Sequence, residues 1–229
     1  MAGNTSPKVE QIQEESASSW PECRAVRLRP QVHFCRIGAR FILLDLAASR
    51  YFLLEGPAAE RFTSWCDEKA DASTIRWLQE AGLVEPGSAA AHPSPPVLPL
   101  LSLFDVPPAR ARPWLVAEAL CEQVVASRRV RGESLAASLR QANSATADLE
   151  ACRPIAAACR AAARYRAAAD QCLPNALAMR RMLARRGIAS NLVIGVMLPF
   201  SAHCWLQSGE TVLSDPLDSV RNFHPLVVV

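Results

Sequence analysis

Apolar positions along the chain change their period four times, and the changes divide it. Between residues 24 and 85, RLRPQVHFCRIG, RFILLDLAA and RYFLLEG read as three short strands, and a turn near Ala47–Ser49 predicts that the last two form a hairpin. PAAERFTSWCDE opens on Pro57, which suits the first turn of a helix, and Ala58, Phe62 and Trp65 recur on one helical face. STIRWLQEAGLVE predicts a second helix, capped by Ser73 or Thr74 and ended near Gly82. Pro86, Pro93, Pro95, Pro96 and Pro99 then predict a semi-rigid linker over 86–99. From about 108 to 186 the period is helical, through PARARPWLVAEALCEQVVASRR, GESLAASLRQA, RPIAAACRAAARYRAAA and QCLPNALAMRRMLARRGI. In the last of these Cys172, Ala176, Met179 and Leu183 share one face, and Gly187 is a C-cap. NLVIGVML, SAHCWLQ and TVLSD read as strands, and the chain ends in the apolar PLVVV. The expected class is α+β: a polar, disordered tail (1–23), a small unit (24–85), the linker (86–99) and a larger domain (100–229).

Composition narrows the classes. Half of the 229 residues are hydrophobic, 21% are charged, and the formal net charge is +3. That charge gives no argument for nucleic acid, and the one helix that would read DNA carries Arg76 beside Glu80. The N-terminus has no apolar signal region, and no apolar run approaches the roughly 18 residues of a membrane span, so a cytoplasmic protein is expected. Eight cysteines (23, 35, 66, 121, 152, 159, 172 and 204) include no CxxC pair, so no metal site is expected. No P-loop is present, and no cofactor is evident. Most of the thiols are expected to be small buried packing groups.

Cys172 differs from the other seven. Asp170 can cap the helix, and Pro174 is tolerated only in its first turn, so Cys172 falls at the helix N-terminus. There the macrodipole and unpaired N–H groups favour a thiolate and can hold an oxyanion. His203 and Asp215 follow in chain order on successive strands. A thiol, an imidazole and a carboxylate are the parts of a papain-like nucleophile site, as nucleophile, proton carrier and orienter. Strand alternation puts His203, Trp205 and Gln207 on one face, expected to be the helix-facing side, and Ala202, Cys204 and Leu206 on the core side. A two-residue turn at Ser208–Gly209 would put Asp215 on the wrong face, so an odd loop or a bulge is expected. Asp218 and His224 are the fallback orienter and imidazole.

The segment from Cys172 to Asp215 resembles the transglutaminase-like leader peptidase of lasso peptide biosynthesis. The carrying residues are Cys172 and Leu173 at a helix start, Arg186-Gly187-Ile188, the Leu192–Val196 strand, Phe200, Ala202, His203, Trp205 and Asp215. LLDLAASRYFLLEGPAAERF resembles the PqqD-like, winged-helix-like module that recognises leader peptides in such pathways. The resemblance implies a cysteine peptidase that frees the core of a ribosomal precursor peptide, with an asparagine-synthetase-like cyclase as partner. It also implies that the leader adds as a strand to an exposed sheet edge. That edge is expected at Tyr51, Phe52, Leu53 and Leu54, with Trp77 and Leu78 lining a pocket on the neighbouring helix. A true transglutaminase-type acyl transferase and a non-catalytic escort of the precursor are the rival readings.

Overall fold

The computed structural model describes residues 26–87, 97–139, 148–165 and 171–229. The expected tail, most of the expected linker and Asp170 lie outside the described residues. The fold is mixed α/β.

The first strand segment is two strands, because Pro30 sits in a turn closed by Val32 N–H donating to Arg29 O. β1 (Val26–Leu28) pairs with β5 (Val84–Pro86), which follows the two helices of this part of the chain. β2 (Val32–Ile37), β3 (Arg40–Asp45) and β4 (Arg50–Leu54) form an antiparallel sheet in that order. The β3–β4 turn is held by the Asp45 carboxylate, which accepts from the N–H groups of Ala47 and Ala48. α1 (Pro57–Cys66) starts at its proline, as expected. α2 (Ala72–Glu80) is capped not by Ser73 or Thr74 but by Asp71, which accepts from Thr74 N–H at 2.8 Å and from the Ser73 hydroxyl.

β3 is buried on both faces. Phe41 and Leu43 pack with Val32, Phe62 and Leu78 under α1 and α2. Ile42, Leu44 and Leu46 join the larger core of the molecule. The sheet is therefore a wall shared by the two halves, and β10 lies against β2. A strand buried on both sides loses its alternation, which is why Phe41–Leu44 is an unbroken apolar run. The two halves are packed together rather than swinging on a linker.

The larger half holds α3 (Pro113–Gly132), α4 (Leu135–Leu139), α5 (Leu149–Ala163) and α6 (Cys172–Ala184). Its sheet runs β10-β7-β8-β9-β6, from β6 (Leu101–Ser102), β7 (Asn191–Met197), β8 (Ser201–Ser208), β9 (Thr211–Val212) and β10 (His224–Val228). A short α7 (Leu217–Val220) lies between β9 and β10. β6 joins β9 in parallel, and every other pairing in this sheet is antiparallel. α6 packs across β7 and β8, with α3 and α5 beside it. No helix among the described residues is long and apolar enough to cross a membrane.

Candidate active site

Cys172 is the first residue of α6, so its N–H is one of those an α-helix leaves without an internal partner. The cap residue is Gln171, whose side chain makes no capping bond. Pro174 is the third residue and accounts for the early helix start, since its ring is compatible only with the first turn.

His203 and Asp215 meet by a route different from the one expected. The β8–β9 loop is the two-residue pair Gly209–Glu210, with Gln207 opposite Val212 and Ser208 opposite Thr211. Gly209 takes φ +55, the left-handed conformation such tight hairpins require. This even loop would not bring Asp215 opposite His203, but the ladder stops first. Leu213 N–H still donates to Leu206 O, whereas Leu206 N–H donates to the Ser214 hydroxyl in place of a backbone carbonyl. The chain bends there, and Asp215 comes round the open edge of β8. Its Oδ1 lies 3.0 Å from His203 Nε2.

The bend is pinned from a remote part of the chain. Ser102, buried in β6, donates its hydroxyl to Asp215 O at 2.6 Å and accepts from Phe104 N–H. Ser214 donates its hydroxyl to Asp215 Oδ2. Asp105 accepts from Leu217 N–H at 3.1 Å. With both carboxylate oxygens engaged, Asp215 holds the imidazole in one orientation. The Cys172 thiol acts on the same imidazole, and Nδ1 is the ring nitrogen that Asp215 does not hold. The carboxylate first, and then the thiol, raise the His203 pKa from 6.5 to about 9. At neutral pH the His203 ring is therefore an imidazolium.

The faces of β8 are assigned differently from the expectation. Cys204 and Leu206 pack into the core on the α6 side, whereas Trp205 packs with Val193, Val212, Leu217 and Val220, near Phe223. Both faces are covered, and α6 is not on the tryptophan face. Trp205 stacks against His203 with centroids 6.2 Å apart, and its indole N–H donates to Gln207 Oε1. Gly195, opposite His203, leaves room for this: a Cβ there would lie 2.6 Å from the Trp205 ring. Asp218 and His224 are exposed and stand outside this cluster.

The six residues expected to take a leader peptide divide. Leu78 is 0% exposed among Phe41, Leu43 and Phe62, so it is a core residue and lines no pocket. Phe52 and Leu54 pack partly against the same core, and Trp77 is half-buried under the Arg61 guanidinium. Tyr51 and Leu53 face the other way. Tyr51 packs edge-on against Phe200 at the tip of the β7–β8 hairpin, with centroids 5.1 Å apart. Burial first, then the nearby thiols of Cys204 and Cys172, push its phenol up to about 12. Leu53 and Phe200 are 48% and 56% exposed, large apolar groups for a protein surface. Tyr51 and Cys172 thus both pack against the larger core, which brings β4 to the Cys172 side of the molecule. The sequence carries no signal of that, because its strand pattern is equally that of a remote edge.

Among the described residues no cluster of histidine, cysteine and carboxylate side chains could hold a metal. The seven described cysteines are free thiols. Cys121 is exposed, against the expectation of a buried packing group.

No curated protein and no solved structure matches the chain. A family model described as the transglutaminase-like superfamily matches residues 117–228. That span contains Cys172, His203 and Asp215, and such domains are compatible with cysteine peptidases and with acyltransferases, two chemistries that share an acyl-thiol intermediate. Residues 117–228 are a transglutaminase-like superfamily domain.

Proposed function

We propose that the protein is a cysteine peptidase that removes the leader from a ribosomally made precursor of the lasso type. The observation that carries the catalytic part is the continuous chain from the Cys172 thiol through the His203 ring to a doubly held Asp215. In the reaction, the Cys172 thiolate attacks the carbonyl carbon of the last leader residue. The imidazolium of His203 gives its proton to the departing core amine. Water then attacks the thioester, His203 takes a proton from it, and the leader leaves as a free acid. Asp215 keeps the ring oriented and its charge stabilised throughout.

The open side of β4 supports a peptide substrate. β4 pairs only with β3 among the described residues, so its outer edge can take an added antiparallel strand. Leu53 and Tyr51 would supply side-chain contacts there, with Trp77 a further contact and Phe52 and Leu54 contributing backbone. The freed core would pass to an asparagine-synthetase-like cyclase in a cytoplasmic pathway.

The test is mass spectrometry of a precursor peptide incubated with the full chain. Cleavage into leader and core is expected, with none for Cys172→Ala; cleavage that survives this substitution sinks the peptidase reading. A product bearing an added amine in place of water would replace it with the acyl-transferase reading. Leu53→Arg, at an exposed site, is expected to raise KM for the full precursor and to leave a short peptide spanning the junction unaffected. Equal effects on both substrates would remove β4 from the recognition surface.

A further inference from the structure

One buried polar group beside Cys172 has no part in the chemistry above. Gln123 lies in the middle of α3 and is 1% exposed, and its Oε1 has no hydrogen-bond partner among the described residues. Its backbone is satisfied in the ordinary way, the carbonyl accepting from the Ser127 hydroxyl at 2.7 Å. The unsatisfied atom is the side-chain amide oxygen. An amide buried in this way costs about 1–3 kcal/mol, and native proteins keep few of them. Packing alone does not account for it. Ala119 and Ala126, one turn to either side on α3, are buried and apolar, and an apolar side chain at 123 would avoid the cost.

The amide lines a cavity of about 230 Å³ whose wall also includes Cys172, Asn175, Met179 and Cys204. That wall is mixed, with Arg160, Ser214 and Asp215 among its polar groups, and Gln123 and Asn175 are its two carboxamides whose buried oxygens lack a partner among the described residues. The helix start beside it is short of donors. An oxyanion at an N-terminal cysteine would draw on the first N–H groups of α6, and Pro174 removes one of them.

We infer that the Gln123 carboxamide is the side-chain donor to the oxyanion formed when Cys172 attacks a carbonyl. The inference rests on Cys172 being the nucleophile, as proposed above, but not on which peptide is cut. As the Sγ–C bond forms, the carbonyl π pair moves onto oxygen, and that oxygen accepts from the Cys172 N–H and from Gln123 Nε2–H. When the adduct collapses the C=O re-forms, the bond to the leaving amine breaks, and the amine takes its proton from His203. The two ends of a carboxamide exchange places by a half-turn about its last bond, so the NH₂ group can occupy the orphaned position. Gln123 touches the reacting oxygen and is in that sense catalytic. The position without a partner in the resting protein is the one that the NH₂ end would fill after that half-turn.

The experiment uses the full chain with Gln123→Ala and the volume-conserving Gln123→Met, each checked for an unchanged melting transition. Three readouts separate an oxyanion donor from a structural residue. Turnover of the precursor is expected to fall about 10²–10³-fold with KM changed less than about threefold. Affinity for a short peptide aldehyde, whose adduct with Cys172 places an oxygen at the oxyanion position, is expected to fall by a similar factor. The rate at which Cys172 reacts with dipyridyl disulfide, followed by peptide mapping, is expected to stay within about twofold, because that reagent has no carbonyl. Unchanged turnover and aldehyde affinity in Gln123→Met overturns the inference. So does a disulfide-exchange rate that falls in step with turnover, because the amide would then be acting on the thiol. If wild-type Cys172 fails to react with either reagent, it is the nucleophile assignment that fails.

Discussion

The two ends of α6 are built on opposite terms. At its C-terminal end, Arg185 and Arg186 bond the Glu118 carboxylate of α3, Arg181 and Arg185 meet Glu122, and the turn closes through Gly187 at φ +69. Cations at a helix C-terminus also complement its dipole. At its N-terminal end there is no side-chain cap, a proline where a donor could be, and two unpartnered amide oxygens, on Gln123 and Asn175. The same pair of helices is joined by ion pairs at one end and, among the described residues, presents two unpartnered amide oxygens at the other. The clasped end is held by ion pairs, and the open end is where the proposed reaction would draw on donors and charge. This division matches the general observation that reactive sites keep groups a purely structural region would satisfy.

Substitutions at the open end should therefore cost activity and little stability. Cys172→Ala is expected to abolish turnover, with a melting temperature within a few degrees of wild type; calorimetry and a cleavage assay measure both. Asp215→Asn is the next largest, with a loss of roughly 10⁴-fold, the scale seen when a triad carboxylate is neutralised. It also has a signature in pH. The folded His203 pKa is raised from 6.5 to about 9, so its stabilising contribution is complete below about pH 6.5 and is lost as pH rises through 9. Activity that depends on the imidazolium should fall over the same alkaline range, and Asp215→Asn should move that fall toward neutral pH. A pH–rate profile with an unmoved alkaline limb would contradict the assignment of Asp215.

Gly195→Ala tests the support beneath the imidazole. A Cβ 2.6 Å from the Trp205 ring forces that ring to shift, at a cost of about 1–3 kcal/mol, and with it the surface on which His203 stacks. Turnover is expected to fall up to about 10²-fold, in line with ångström-scale misplacement of a reacting group. The smallest effect belongs to the clasp. Glu118→Gln should cost about 1 kcal/mol or less, because its ion pairs are partly exposed, and should leave turnover per folded molecule unchanged. The hydrogen bond from Arg186 lowers the Glu118 pKa below 4.5. Its contribution is therefore present above that pH and lost on acidification through the lowered value, and Glu118→Gln should flatten the acid side of the stability curve. A large loss of activity in this variant would break the contrast between the two ends.

Local features were legible from residues alone, and remote ones were not. Pro174 and the spacing of Cys172, Ala176, Met179 and Leu183 place Cys172 in the first turn of α6, although the cap is Gln171 and not the expected Asp170. The continuous apolar run at Phe41–Leu44 reads as a strand, but its cover on both faces shows only once the two halves are seen packed together. The grip of Ser102 on Asp215 spans 113 positions, and no periodicity or spacing encodes such a pair. The bend at Ser214 is hidden for a related reason: a side chain replaces a backbone acceptor there, and a serine before an aspartate reads only as a turn. Leu78 looked available for a pocket because α2 is short and amphipathic. Its place against Phe62 depends on how α1 and α2 pack, which their separate patterns do not state. Gln123 is an ordinary polar residue in a helix until its burial is known.

The shared wall formed by β3 turns the molecule into a ruler. β4 is bonded to β3, β3 is embedded in the core that also holds α6, and Tyr51 and Cys172 both pack against that core. A chain seated along β4 would reach the thiol after a set number of residues, with no slack for a longer or shorter span. Selectivity could then lie in length as much as in composition, so that adding or deleting one residue between the seated segment and the scissile bond matters more than most substitutions between them.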